Sequence, residues 1–147
     1  MDNVFGKDKT ITVKPAISSW DVIRPVLLLE LEEAGFTDDV SVSFLVAAEE
    51  MFANAVMYAF PEGISDDDMI SVGFDIGQDS RGQYAEIVLS DTGVAFDPTK
   101  IPQHEPVTSA KGLTPGGFGI TLARQKTDRM IYKREQGQNR LSLIRYK

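Results

Sequence analysis

At 147 residues the chain suits one domain with a sizeable core. Its ordinary composition excludes disordered and fibrous classes, and the absence of cysteine excludes disulfides, thiolate zinc sites and a cysteine nucleophile. A net charge of −7 argues against a broad nucleic-acid-binding face. The charge is uneven: residues 1–99 carry 5 basic and 19 acidic side chains (−14), and residues 100–147 carry 10 and 3 (+7). The run Asp66-Asp67-Asp68 gives a solvated loop as one account of this; the other is that the positive half handles phosphate. The N-terminus lacks a basic segment followed by an apolar run, so no signal peptide is expected. No apolar stretch is expected to approach the ~18 residues of a membrane span, and the chain reads as cytoplasmic.

Residues 9–13 alternate, with Ile11 and Val13 on one face, and predict an opening strand ended by Pro15. Ser18 or Ser19 can cap a helix that stops at Gly35, with Pro25 in its first turns, where proline is best tolerated. Thr37 or Asp38 caps a second helix over about 39–60, ended by Pro61 and Gly63. Two strands follow, one with Ile70, Val72, Phe74 and Ile76 on a face, the other with Ala85, Ile87 and Leu89. Residues 92–115 hold Pro98, Pro102, Pro106 and Pro115 without clear periodicity, as in a functional lid or a disordered connection. A helix over about 117–127 and a hairpin (129–134 and 140–146, around Gln136-Gly137-Gln138) close the chain. There are no repeats or linkers, so residues 1–147 are read as a single domain. The order β-α-α-β-β-loop-α-β-β predicts an α/β (α+β) two-layer sandwich, with helices on one face of a mixed, mostly antiparallel sheet.

Three segments carry chemistry. On the second helix, Ser43, Val46, Ala47, Glu50, Ala53, Asn54 and Met57 share one side, while Phe44, Leu45, Ala48 and Phe52 cover the other. A helix apolar nearly all round is buried, so Glu50 and Asn54 need compensation there. They can bond each other or nearby backbone. Alternatively, Asn54 supplies an oxygen to a hydrated Mg²⁺, and Glu50 orients or deprotonates an attacking hydroxyl. Glu49, about 100° round the helix, is expected to reach solvent or a rim partner.

Strand parity places Asp91 on the face of Ala85, Ile87 and Leu89, where its carboxylate needs a donor. The amino group of adenine would serve and would discriminate against guanine; Gly93 would let the backbone turn closely under the base. An ordinary Asp-Thr-Gly turn is the plainer alternative. Gly116-Gly117-Phe118-Gly119 before a helix can cradle phosphate through converging amides, with Thr121 and Arg124 as further contacts. It is neither a Walker motif nor a dinucleotide fingerprint, and Arg124 suits a surface role equally well. His104, the sole histidine, is assigned no role.

Together these residues resemble the GHKL (Bergerat-fold, histidine-kinase-like) ATPase motifs. Glu50-x-x-x-Asn54 is similar to the N box, Asp91-x-Gly93-x-Ala95-Phe96-Asp97 to the adenine-binding box, and Gly117-Phe118-Gly119-Ile120-Thr121-Leu-Ala-Arg124 to the second glycine box. Over residues 9–147 the chain resembles the small anti-sigma factor serine/threonine kinases of the RsbW and SpoIIAB type. The resemblance implies Mg·ATP binding and phosphorylation of a serine or threonine on a STAS-domain antagonist. It also implies alternative binding of a sigma factor, often by a homodimer. Glu50 would be the general base, Asn54 the metal ligand and Asp91 the adenine contact; residues 99–115 would be the ATP lid. Pro115 and Gly116 stand where relatives often carry a basic residue, so a γ-phosphate contact would be missing or would come from Lys111 or Arg124. A binding module that responds to nucleotide without phosphorylating its partner is the alternative.

Overall fold

A computed structural model describes residues 9–100 and 117–147. Strand β1 (Thr10–Val13) leads through a 3-10 turn (Ile17–Ser19) into α1 (Trp20–Glu33) and α2 (Asp38–Tyr58). The hairpin β2 (Ile70–Asp79) and β3 (Gly82–Asp91) follows, then a 3-10 turn at Pro98–Lys100, α3 (Gly117–Gln125), and the hairpin β4 (Arg129–Glu135) and β5 (Gln138–Tyr146). The five strands are ordered β1-β2-β3-β5-β4. Every pairing among them is antiparallel, so the sheet is purer than the mixed one expected.

Local chemistry explains the boundaries. Thr37 caps α2 by accepting the Val40 N–H (3.3 Å), and Asp38 and Asp39 in the first turn favour the positive end of the helix dipole. Ser19 does not cap α1 with its side chain; its hydroxyl donates to the Lys14 carbonyl at 3.0 Å, and the 3-10 turn leads into the helix instead. Pro25 lies in the second turn of α1, on an exposed position. The helix ends in a Schellman arrangement: Gly35, at φ +86°, donates to Glu32, and Phe36 donates to Leu31, both at 3.0 Å. Gln136 and Gly137, both at positive φ, make the tight two-residue turn between β4 and β5.

Strand parity builds the core. Ile70, Val72 and Phe74 of β2, Ala85, Ile87 and Leu89 of β3, and Leu141 and Leu143 of β5 are all buried on one sheet face. Onto it pack Ile23, Leu27 and Leu31 of α1, Phe44, Leu45 and Phe52 of α2, and Ile120 and Ala123 of α3. Each large side chain so buried contributes about 1.5–3 kcal/mol relative to exposure. By length and composition α2 could cross a membrane, contrary to the expectation that no segment could. Its side chains Phe44, Leu45, Met51 and Phe52 are nevertheless core residues, and long core helices pass the same test.

Candidate functional site

The end of β3 and the start of β5 meet at one corner of the sheet. Asp91 and Asn139 are cross-strand partners on the inward face, in the same row as Leu89 and Leu141. Asp91 is 8% exposed. Its Oδ1 accepts the Gly93 N–H at 2.8 Å and the Asn139 amide at 2.9 Å, while Oδ2 takes no hydrogen bond from any other described residue. Burial pushes the Asp91 carboxyl above its ordinary range; the bonds from Asn139 and Gly93, and the nearby Arg134 charge, pull the other way.

Asn139 is the organiser here. Its amide also donates to the Val94 carbonyl at 2.7 Å, and its oxygen accepts the Phe96 N–H at 3.2 Å and the Tyr132 hydroxyl at 2.5 Å. Two donors and two acceptor sites are thus used in full. Arg134 holds the same turn from β4 by donating to the Gly93 carbonyl at 2.8 Å. Gly93 lies against the end of α2: a Cβ there would stand 2.3 Å from the Ala59 carbonyl oxygen, so only glycine fits. The adjacent Val94 N–H donates to that oxygen at 2.8 Å.

Asp91, Asn139 and Asn54 line a narrow cavity walled by Met51, Leu89, Phe96 and Leu141. A carboxylate lining an apolar slot can accept a hydrogen bond from a flat base that bears an amino donor. With about 30 Å³ of open space the cavity is tight, so an entering base displaces side chains at its rim. Ala95 is exposed beside it, and Phe96 is half-buried in its wall. Asn54 is 4% exposed and supplies one neutral oxygen. No group of three acidic, histidine or cysteine side chains able to hold a metal occurs among the described residues. One neutral amide oxygen fits a Mg²⁺ that is held chiefly by phosphate and water, for which Asn54 would be the protein ligand.

One turn before Asn54 on α2, Glu50 is half-buried against Gly119 of α3. A Cβ on Gly119 would lie 2.6 Å from Glu50 Oε2, so the glycine makes room for the carboxylate. No described residue donates a hydrogen bond to Glu50. Burial first and the Glu49 charge second push its carboxyl above the ordinary range. Glu49 is exposed, and Met57, expected beside Glu50 and Asn54, is 55% exposed.

Of the glycine segment, Gly117 opens α3, Phe118 is exposed, and Gly119, Ile120 and Thr121 are buried. Arg124 points elsewhere than expected for a phosphate contact: its Nη2 donates to the carbonyls of Pro98 (3.1 Å) and Thr99 (2.8 Å). Gly116, Lys111, His104 and the lid beyond residue 100 lie outside the described residues. Sequence reasoning gave Asn139, Arg134 and Tyr132 no part in the site. Parity carried back from Leu143 and Leu141 would have put Asn139 inward beside Asp91.

This layered fold, with a carboxylate–glycine turn facing a helix that carries Glu50 and Asn54, defines a class of ATPase domain. The sequence matches the histidine kinase-like ATPase domain family over residues 17–145, and the chain belongs to that family. Two curated relatives are similar to it. The serine-protein kinase RsbW of Oceanobacillus iheyensis is 31% identical over 107 residues, covering 70% of this chain and 64% of that protein. The serine/threonine-protein kinase BtrW of Bordetella bronchiseptica is 29% identical over 98 residues, covering 67% and 65%. The chain thus spans just under two thirds of the length of these relatives.

Proposed function

We propose that this chain is a cytoplasmic ATP-dependent protein serine/threonine kinase, working as an anti-sigma factor and partner-switching regulator. It would act as a homodimer, phosphorylate a STAS-domain antagonist and hold a sigma factor as the competing partner. The observation that carries the reading is the pairing on α2 of a buried Asn54 in the Asp91 cavity with a half-buried Glu50 one turn away, to which no described residue donates a hydrogen bond. Asp91 Oδ2 accepts from the adenine amino group, and Asn139 and Arg134 keep the turn in place for it. Asn54 would hold a Mg²⁺ that enters with ATP, and the ion would supply charge neutralisation of the phosphates.

The hydroxyl oxygen of the partner's serine or threonine forms the new bond to the γ-phosphorus. The bond from that phosphorus to the β,γ-bridging oxygen breaks, and ADP leaves with the electron pair. The hydroxyl proton passes to the Glu50 carboxylate, whose raised proton affinity suits it to this task. Kinase-named relatives support the reading.

The test is to incubate the purified chain with γ-labelled ATP, Mg²⁺ and its STAS-domain partner. Label on a serine or threonine is expected; a partner that binds yet stays unlabelled overturns kinase activity. One observation favours a second reading, a module that sequesters its partner in response to nucleotide without phosphorylating it. Arg124 is engaged by main-chain carbonyls, which leaves the phosphate side short of a described cation. On that reading Glu50→Ala keeps regulation intact, whereas on the first it abolishes transfer.

A further inference from the structure

The two flanks of α2 border two different cavities. Met51, Asn54 and Ala55 line the Asp91 cavity. Glu49, Glu50, Phe52 and Ala53 line a second cavity of about 180 Å³, closed by Ile17, Trp20 and Asp21 from the 3-10 turn and the first turn of α1. One part of its wall is apolar. Trp20 packs on Phe52 with ring centroids 5.5 Å apart, and Ile17 is 53% exposed. The Trp20 indole N–H is buried without a hydrogen-bond partner among the described residues.

The rest of the wall is acidic. Asp21 and Glu49 are exposed and Glu50 is half-buried. None of the three is in an ion pair among the described residues, whose bridges are Lys9–Glu30, Arg81–Asp128 and Lys133–Glu135. Three carboxylates around one cavity, with no counter-charge bonded to them among the described residues, attract a cation. They do not form a metal-ligand group. A cavity with apolar walls and an acidic lining instead suits a long side chain that lays its methylenes on Ile17 and presents its charged head to the carboxylates.

We propose that this cavity docks the phosphoacceptor protein, by receiving a lysine or arginine side chain that lies beside the acceptor hydroxyl on its surface. Asp21 and Glu49 read that charge. Glu50, on the same wall, thereby meets the hydroxyl, so docking and proton transfer share one cavity. The assignment rests on the kinase reading above. It adds a demand on the partner: a basic residue close in space to the phosphorylated serine or threonine.

The test uses the full chain, the STAS-domain protein as phosphoacceptor, and two double variants, Asp21→Asn with Glu49→Gln and Asp21→Lys with Glu49→Lys. Both positions are exposed, so folding should be spared; thermal melts check this. The neutral pair is expected to raise KM for the STAS protein about 10-fold with kcat changing much less, because burial and not the Glu49 charge is the larger cause of Glu50's raised proton affinity. The reversed pair raises KM further and also lowers kcat, because a positive charge beside Glu50 weakens it as a base. Affinity for Mg·ATP should be unchanged. The salt dependence of KM should flatten in the neutral pair, because exposed charges act through screened attraction. Replacing the partner's lysine or arginine by glutamate should rescue the reversed pair.

A KM that moves less than about 2-fold in both variants, while the wild-type chain is active, overturns the docking and leaves the kinase reading standing. So does efficient phosphorylation of a STAS protein with no basic residue near its acceptor. A wild-type chain that binds the STAS protein but transfers nothing overturns the kinase reading. Binding titrations of the same variants then decide the docking: a dissociation constant unchanged in both overturns it, and a rise supports it.

Discussion

Asp91 and Glu50 are two carboxylates drawn out of water in one fold, and both are pushed above their ordinary range by burial. They are held in opposite ways. Asp91 is gripped at one oxygen by Gly93 and Asn139, with Arg134 bonded to the same turn. Glu50 has no described donor, only a like charge beside it and a glycine that leaves it space. The first arrangement fixes one acceptor oxygen in place for recognition. The second keeps a carboxylate ready to take up a proton. Preorganised binding and proton transfer thus call for different surroundings, one at a strand end and one on a helix.

The sharpest way to break this contrast is Glu50→Gln. Phosphoryl transfer to the STAS protein should fall about 10²–10⁴-fold, the range ascribed to a general base, with ATP affinity little changed. Transfer that persists above a tenth of the wild-type rate would remove Glu50 from the chemistry. Asp91→Asn should act on recognition instead. With its oxygen kept toward Gly93 and Asn139, the new amide group would face the base, repelling the amino group of adenine and accommodating the carbonyl of guanine. ATP affinity should fall roughly 10–100-fold and the preference over GTP should narrow or invert, as competition titrations would report.

Asn139→Ala tests whether the grip on Asp91 is structural support for the site. Four hydrogen bonds are lost and buried partners are left unsatisfied, at a cost of about 2–4 kcal/mol in a denaturant or thermal melt. Unchanged stability and unchanged base preference together would show that Asn139 is dispensable. Gly119→Ala acts on the other carboxylate. Its methyl group would crowd Glu50 Oε2, the free end of a side chain, so the melt should barely move while kcat drops about 10-fold through misplacement.

The smallest effect concerns pH. Folded Glu50 keeps its proton to higher pH than unfolded Glu50. Between the two values the folded state binds more protons, so this group's contribution to stability declines as pH rises through that window and then levels off. Glu50→Gln should therefore gain on the wild type in melting temperature across the window and hold that gain above it. Parallel melting curves throughout would argue that Glu50 is freely solvated.

What the sequence made legible was mostly periodic. Parity along Ala85, Ile87 and Leu89 put Asp91 inward, and the burial of those residues follows the same alternation. Helical rotation put Glu50 and Asn54 on a common side of α2, but it also put Met57 there, which is exposed. Rotation fixes a direction around the axis and says nothing of how far neighbouring elements extend along it. The sheet order was not legible, because the placement of β5 between β3 and β4 is a long-range pairing. That pairing is what brings Asn139 to Asp91. Ser19 was a reasonable cap by type, but the 3-10 turn before α1 occupies its hydroxyl with Lys14. Arg124 read as a phosphate contact because it lies early in a helix after glycines, and its carbonyl partners 25 and 26 residues away carry no local signal.

Those Arg124 bonds have a consequence for how the chain tolerates change. They fasten α3 to residues 98 and 99, so the two points where the chain departs from and re-enters the described fold are tied to each other through a side chain. The sixteen residues between 100 and 117 therefore span fixed posts. Replacing Arg124 by alanine would untie them, freeing residues 98 and 99 from α3 while leaving the sheet as it is.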